Sequence, residues 1–264
     1  MPEANTYSLQ EDLELLVTAA LQGGKIALSY FGNSPKNWTK EGDSPVSVAD
    51  IEVDQFLAST LREARPEYGW LSEETEDDLA RKDHETVFIV DPIDGTRAFL
   101  NGRDEWCLSL AVVKNGRPTV GVIYCPVRDE LYTSVEGGGS YLNQEKISIS
   151  DRPSVTGSYI AGPVSFLEKE GVKSEQIRFS PYLGSLAYRF ALVACGKLDA
   201  GLARARARDW DLAAADLIIS EAGGQLVDLS GSTLYYNKTR TNHPGLVASS
   251  AKLFKRLQGI SVED

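Results

Sequence analysis

The decapeptide VFIVDPIDGT, residues 87–96, determines most of what this sequence predicts about its fold. Its four leading apolar residues predict a buried strand, and Asp91 and Asp94 follow that strand three residues apart. Pro92 stiffens the turn, and Gly95 permits a tight backbone. A strand that ends in this way directs two carboxylates at one point. That arrangement suits a hard cation such as Mg²⁺, because Mg²⁺ prefers oxygen ligands.

Two carboxylates alone are also typical of an acidic turn that caps a helix, but further acidic elements favour a metal site. Glu73 and Glu74 follow a predicted strand, Asp211 lies in the sequence WDLAAA, and Asp50 begins a predicted helix. Beyond Gly95, free backbone N–H groups at a turn or helix start can hold a phosphate oxygen. We therefore predict a site for several metal ions, provided that the fold brings these carboxylates together.

The N-terminal half, residues 1–145, is predicted to be an antiparallel sheet covered by two helices. Ser8 and Glu11 have capping-box spacing at the start of a helix over 8–31, and Pro66 follows a second helix over 49–64. The charged segment 75–85 predicts a mobile, solvated loop, and Asn115-Gly116 predicts a hairpin turn. Strands are predicted at 68–72, 87–91, 108–114, 120–125 and 130–133.

The C-terminal half, residues 146–264, alternates helix and strand, which favours a mixed or parallel α/β arrangement. Helices are predicted at 185–195, 212–222 and 252–257, and strands at 200–207 and 225–228. The fold class is therefore an α/β (α+β) layered sandwich whose two halves share a continuous core.

Composition excludes several other classes of protein. A net charge of -11 over 264 residues argues against direct nucleic-acid binding, because polyanions are repelled. Two isolated histidines argue against a histidine-rich zinc site, and three scattered cysteines predict buried free thiols in a reducing compartment. The first residues do not have the pattern of a signal peptide, and no run of about 18 apolar residues occurs. We expect a cytoplasmic protein without membrane contact.

Three segments, WLSEET (70–75), VDPIDGTRAF (90–99) and WDLAAADLIISEAGG (210–224), carry a resemblance to the inositol monophosphatase family. Their order and spacing match those of the family over nearly the whole chain. The resemblance implies an α/β sandwich, hydrolysis of small phosphorylated substrates that depends on two or three Mg²⁺ ions, inhibition by Li⁺, and a homodimer.

The same resemblance implies the ligands of each ion. Glu73, Asp91 and the carbonyl group of Ile93 would bind the first Mg²⁺, and a weaker third ion would lie near Glu73. Asp91, Asp94 and Asp211 would bind the second ion, so that Asp91 bridges the two. Asp94 and Asp211 are also expected to contact the substrate.

The resemblance further implies which residues act on the attacking water and on the substrate. Thr96, supported by Asp50, would position and deprotonate the water together with Glu73. The amides of Gly95 and Thr96 would hold phosphate oxygens. Gly184-Ser185 matches a segment that lines the substrate pocket in the family, and the alternative is a simple helix N-cap.

The residues before Asp211 depart from the family pattern. Inositol-hydrolysing members have a glutamate there that contacts inositol hydroxyls, whereas this chain has Arg204, Arg206 and Arg208 and no acidic residue until Asp209. Strand alternation would place the three arginines on one face. Because arginine pairs with phosphate or carboxylate, Arg204 is predicted to bind a second anionic group of the substrate. The alternative is an arginine ladder on the surface or on a dimer face.

Three functions follow from these observations. Hydrolysis of inositol monophosphate to inositol and phosphate is the leading prediction. Hydrolysis of adenosine 3',5'-bisphosphate is the alternative that the arginines favour. A regulatory role as a partner of the transcription machinery is a third possibility, because some bacterial members of the family resemble this chain and act in that way.

Overall fold

Two helices form the outer layer of the fold in the computed structural model, which describes residues 7–40, 44–163 and 177–258. They are α1 (Leu9–Tyr30) and α2 (Val48–Ala64), and each begins with a capping box, at Ser8 and Ser47 respectively. Both predicted helices are confirmed. Short strands β1 (Asn37–Thr39) and β2 (Pro45–Ser47) pair between the two helices.

A seven-stranded sheet forms the second layer, with its strands adjacent in chain order. All neighbouring pairs are antiparallel except β3 and β4, which are parallel. The predicted hairpin is confirmed, because Asn115 and Gly116 both have positive φ, at 51° and 77°. The strands are β3 (Gly69–Ser72), β4 (Thr86–Asp94), β5 (Cys107–Lys114), β6 (Arg117–Cys125), β7 (Glu130–Val135), β8 (Gly139–Leu142) and β9 (Glu145–Lys146).

The parallel pairing of β3 and β4 corrects the expectation of a wholly antiparallel sheet. Ser72 lies beside Val90, so Glu73, which directly follows β3, lies at the same end of the sheet as Asp91 near the end of β4. The connection between the two strands is not the fully solvated loop that its composition predicts. It contains a 3₁₀ turn at Ala80–Asp83, and Arg81 is buried there. Burial of this charge is compensated because the guanidinium pairs with Asp77 at 2.8 Å.

Helices and a second sheet form the remaining layers. The five-stranded sheet has the order β11-β10-β12-β14-β13, with parallel and antiparallel pairs, as the mixed C-terminal half predicted. Its strands are β10 (Tyr159–Ala161), β11 (Arg178–Phe179), β12 (Ala200–Ala203), β13 (Gln225–Asp228) and β14 (Leu246–Ser249). The helices are α3 (Thr96–Leu100), α4 (Leu186–Ala194), α5 (Asp209–Glu221) and α6 (Ala251–Gln258).

Burial divides the interior into three apolar regions that join these layers. One face of the seven-stranded sheet packs against α1 and α2, and its other face packs against α4, α5 and the second sheet. The outer face of the second sheet packs against α6. The middle region joins both sheets in one core, and a division of the chain at residue 145 stays a prediction.

Strand β12 is shorter than predicted. The sequence predicts a strand over 200–207, but the strand ends at Ala203 and a turn follows, in which Arg206 has a φ of 95°. The alternation that would place three arginines on one face is therefore wrong. Helix α5 then begins at Asp209, three residues before the predicted start.

Close approach of α5 to the first sheet depends on Gly121. A Cβ atom added at Gly121 would lie 2.9 Å from the backbone oxygen of Ala214 in α5. We predict that Gly121→Ala lowers the free energy of unfolding by about 1–3 kcal/mol, because backbone has to move. Urea unfolding followed by circular dichroism measures this.

Gly23→Ala is the matched control. Its added Cβ would also lie 2.9 Å from an atom, but that atom is the tip of the Leu108 side chain. The Leu108 side chain can rotate away from the new methyl group, and alanine has a helix propensity about 1 kcal/mol more favourable than that of glycine. The free energy of unfolding should therefore be nearly unchanged. Equal destabilisation by the two substitutions would contradict the role assigned to Gly121.

Candidate metal and phosphate site

Three carboxylates converge at the junction between the first sheet and α5. Oxygen atoms of Glu73, Asp91 and Asp211 lie within 4.8 Å of one another. Glu73 and Asp91 meet because β3 and β4 are parallel, so that the residue after β3 lies beside the last part of β4. Asp211 approaches from the opposite layer, where its carboxylate accepts the Arg208 N–H at 2.7 Å in the first turn of α5.

Asp91 lies at the centre of this cluster, and its environment fits a cation. Its Oδ1 accepts the Ile93 N–H at 3.0 Å, whereas its buried Oδ2 has no hydrogen-bond partner within the described part of the chain. Burial, reinforced by the charges of Glu73, Asp94 and Asp211, raises the pKa of Asp91 well above its usual range. A buried acceptor without a donor is costly, and a bound divalent cation removes that cost.

Asp94 is held by the start of α4. Its Oδ2 accepts the Ser185 hydroxyl at 2.5 Å and the Ala187 N–H at 2.6 Å. Burial raises the pKa of Asp94 to about 6, although these two hydrogen bonds oppose the increase. Ser185 is the N-cap of α4, where its hydroxyl oxygen also accepts the Tyr188 N–H at 2.9 Å. Ser185 is thus the helix N-cap that the sequence offered as the alternative to a substrate contact, and its hydroxyl orients Asp94.

Thr96 and Asp50 are in contact, as the resemblance implies. The Thr96 hydroxyl lies 3.0 Å from Asp50 Oδ1 and 3.1 Å from the carbonyl oxygen of Ile93. Asp50 Oδ2 accepts both the N–H and the hydroxyl of Ser47, so the capping box of α2 fixes the carboxylate. Burial raises the pKa of Asp50, against the effect of its hydrogen bonds to Ser47 and Thr96.

Two glycines keep the backbone around this site close-packed. Gly95 has a φ of 96°, and an added Cβ would lie 3.0 Å from the carbonyl oxygen of Glu105. A Cβ on Gly184 would lie 2.7 Å from that of Ala98. Both glycines line the same cleft as the carboxylates. Phosphate binding by the amides of Gly95 and Thr96 stays a prediction.

Lys40 is a residue of the site that the sequence did not reveal. Its ammonium lies 3.1 Å from Glu73 Oε1 and 2.8 Å from Glu74 Oε1. Burial lowers the pKa of Lys40, but the charges of the two glutamates outweigh that effect and raise it. Burial also raises the pKa of Glu74 to about 7. A lysine in a segment without periodicity gives no signal of this long-range contact.

The carboxylates open into a cleft of about 570 Å³. Arg206 and Arg208 line this cleft, whereas Arg204 and Arg189 line an adjoining cleft of about 560 Å³, and Tyr182 lines both. Arg204, the predicted substrate contact, therefore does not line the cleft of the metal ligands. The first cleft is lined by Lys40, Ser44, Pro45, Glu73, Asp94, Gly95, Thr96, Arg97, Tyr182, Gly184, Arg206, Arg208, Trp210 and Asp211.

Asp209 is not part of the carboxylate cluster of Glu73, Asp91 and Asp211. It is buried, and its Oδ1 pairs with Nε2 of His243 at 2.7 Å while its Oδ2 accepts the Asn237 N–H at 2.8 Å. Asp209 therefore holds His243 inside the protein. Cys107 and Cys125 are buried free thiols, as predicted, and Cys195 is half-buried.

Comparisons with known proteins agree with this geometry. The model of the inositol monophosphatase family matches residues 8–260, so the chain belongs to that family. It is 34% identical to the inositol-1-monophosphatase of Mesorhizobium japonicum, over 83% of this chain and 86% of that protein. It is 30% identical to the Nus factor SuhB of Xylella fastidiosa, over 95% of this chain and 94% of the relative.

Further comparisons extend over the same family. A relative from Aggregatibacter actinomycetemcomitans, named 3'(2'),5'-bisphosphate nucleotidase CysQ, is 30% identical over 90% of both chains. The crystal structure of the extragenic suppressor protein suhB from Bartonella henselae has a TM-score of 0.84, with 27% identity over 96% of this chain and 99% of that chain. These names support a phosphatase and do not determine one substrate. Within the described ranges, no helix combines the length and apolar character needed to cross a membrane.

Metal binding should depend on pH in a defined direction. Asp94 has a pKa of about 6 when folded, and the pKa values of Asp91 and Asp211 are also raised by burial. Unfolded aspartate titrates near 3.9. Above that pH the metal-free native state holds more protons than the unfolded chain. The stability of the metal-free protein therefore falls as the pH rises toward the raised pKa values of these aspartates.

We predict that Mg²⁺ at about 100 times its Kd raises Tm by several degrees at pH 8 and by much less at pH 5.5, because protons compete for the ligands. Thermal unfolding with Mg²⁺ or EDTA measures this. Asp211→Asn should abolish the difference. Asp216→Asn, which changes a buried carboxyl of the same helix outside the cluster, should retain it. An equal Tm shift at both pH values would contradict the assignment.

Proposed function

We propose that this chain catalyses the Mg²⁺-dependent hydrolysis of small phosphate monoesters, with inositol monophosphate as the first substrate to test. The observation that carries this proposal is the convergence of Glu73, Asp91 and Asp211 around a buried, unpartnered Asp91 oxygen. The similarity to a protein named inositol-1-monophosphatase supports the choice of substrate.

The ligands that would hold the ions are Glu73, Asp91 and Asp211, with Asp94 and the carbonyl group of Ile93 beside them. Bound Mg²⁺ supplies a lowered pKa for the attacking water and neutralises charge on the leaving oxygen. Phosphoryl transfer depends mainly on positioning and charge stabilisation. The chain therefore needs no covalent nucleophile, and its own residues act by orientation and proton transfer.

Thr96 and Asp50 provide the proton path. When the Thr96 hydroxyl donates to Asp50, its lone pairs are free to accept a hydrogen bond from the attacking water. The raised pKa of Asp50 brings its carboxylate closer to the pH range in which it accepts a proton. Glu73 would be the second group to accept a hydrogen bond from that water.

Asp94→Asn is predicted to reduce kcat with Mg²⁺ by about a hundredfold or more, because it removes a ligand charge worth several kcal/mol in the transition state. The hydrogen bonds from Ser185 and Ala187 can still be accepted by the amide oxygen, so the fold should persist. Phosphate release from inositol 1-phosphate measures kcat. Asp104→Asn, at an exposed ion pair with Arg128, is the control and should behave like the unsubstituted protein. Near-normal Mg²⁺-dependent rates in Asp94→Asn would overturn the proposal.

Thr96→Val is predicted to lower kcat by about a hundredfold, within the range for loss of a positioned proton-transfer group. Thr96→Ser keeps the hydroxyl and should retain most of the activity. Steady-state kinetics of both variants test the proton path. A similar loss in both variants would show that packing of the threonine methyl group, rather than its hydroxyl, is required.

Adenosine 3',5'-bisphosphate is a second candidate substrate. Two arginines, Arg206 and Arg208, line the cleft beside the carboxylates and are suited to an additional phosphate. The similarity to a protein named 3'(2'),5'-bisphosphate nucleotidase agrees with this choice. The carboxylate cluster favours catalysis over a purely regulatory role, because unneutralised buried charges would otherwise be costly.

A further inference from the structure

The turn between β12 and α5 holds Arg206 in an unfavourable backbone conformation. Its φ of 95° lies in the region that glycine adopts readily and other residues rarely adopt. Strain of this kind persists where the surrounding structure imposes it, and it is concentrated at functional sites. Glycine would relieve the strain here, so a benefit from the arginine side chain has to offset it.

The surrounding residues fix this turn on both sides. Arg206 donates its N–H to the carbonyl oxygen of His243 at 2.9 Å, and His243 donates its own N–H to that of Ala207 at 2.8 Å. The imidazole of His243 is in turn held by buried Asp209. The backbone of the turn is therefore rigid, and the Arg206 side chain starts from a fixed position.

Two arginines of the turn contribute to the wall of the cleft that contains the carboxylates. Arg206 and Arg208 both line it. Arg208 is supported by Trp210, whose ring lies 5.9 Å from the guanidinium carbon, and by the Thr241 hydroxyl at 3.3 Å. Across residues 7–40, 44–163 and 177–258, neither arginine forms a salt bridge with a carboxylate.

Two kinds of charge thus share one cleft. The carboxylates require cations, and a phosphate that is hydrolysed there binds to those cations. Among the described residues neither arginine is tied into a salt bridge, although the charge of Arg208 opposes the rise that burial causes in the pKa of Asp211, so both guanidinium groups keep their capacity to bind an anion. In a chain of net charge -11, arginines without a salt bridge beside a site proposed for anionic substrates are better explained by binding than by general surface charge.

We propose that Arg206, supported by Arg208, binds a second anionic group of the substrate, a phosphate or a carboxylate, so that the enzyme prefers phosphate monoesters that carry one. This inference rests on the proposed function, because it assumes that the reacting phosphate lies at the carboxylates. His243 and Asp209 are positioning residues, since they hold the turn and do not line the cleft.

The test compares kcat/KM for adenosine 3',5'-bisphosphate, 3-phosphoglycerate and inositol 1-phosphate in the unsubstituted protein and in Arg206→Gly. Glycine removes the guanidinium and relieves the strained φ, so Tm should be unchanged or higher. The ratio of kcat/KM for the doubly anionic substrate to that for inositol 1-phosphate should fall about tenfold to a hundredfold, as expected for loss of a hydrogen-bonded charge. The two doubly anionic substrates distinguish a second phosphate from a carboxylate.

Arg62→Gln is the control, because it removes the same charge from an exposed position on α2 and should leave the ratio unchanged. A ratio that does not change in Arg206→Gly would overturn the inference while the proposed function stands. Equal losses for all three substrates would place Arg206 at the reacting phosphate and would overturn it as well.

Failure of the proposed function has a different signature, namely no Mg²⁺-dependent phosphate release from any substrate. Calorimetric titration with adenosine 3',5'-bisphosphate then tests the arginine site alone. A Kd that is at least about tenfold weaker in Arg206→Gly supports the site. Equal Kd values, or no binding to the unsubstituted protein, would overturn it.

Discussion

Repulsion among buried carboxylates is the constraint on which the rest of this structure depends. Two ionised carboxylates about 5 Å apart repel by on the order of 3 kcal/mol at an effective dielectric constant near 20. Glu73, Asp91 and Asp211 lie within that range, and Asp94 lines the same cleft. Without cations the chain reduces this repulsion by protonation, which is why burial and neighbouring charge raise the pKa of Asp91. The cluster is suited to a cation because the fold holds its carboxylates close together.

Rigid elements from different layers hold the cluster together. Asp91 lies near the end of an interior strand of the first sheet, Glu73 follows the parallel neighbour of that strand, and Asp211 lies in the first turn of α5. Close packing of α5 on the sheet, which requires the missing side chain at Gly121, therefore sets the distance between ligands. The packing of α5 on the sheet and the spacing of the ligands are therefore coupled, because each layer contributes only part of the site.

Local patterns in the sequence predicted local structure well. Capping boxes and apolar periodicity located α1 and α2, and the Asp91 to Asp94 spacing located the turn that ends β4. Features that depend on contacts between residues far apart in the sequence were either not predicted or predicted incorrectly. The parallel pairing of β3 with β4 and the contact of Lys40 with Glu73 join residues that no periodic pattern relates. The predicted strand over 200–207 failed for the same reason, because backbone hydrogen bonds from His243, about 35 residues away, impose the turn at Arg206.

The acidic composition of the chain and its site for anionic substrates are compatible because they act over different distances. Screening at physiological salt limits the repulsion from the net charge of -11 to about 8 Å. Within that distance a substrate in the cleft is exposed mainly to bound cations at the carboxylates and to the guanidinium groups of Arg206 and Arg208. Lys40 differs from these two arginines because its ammonium forms salt bridges with Glu73 and Glu74. A cation that binds at Glu73 has to share or displace that contact, so metal binding and the position of Lys40 are coupled by charge balance alone.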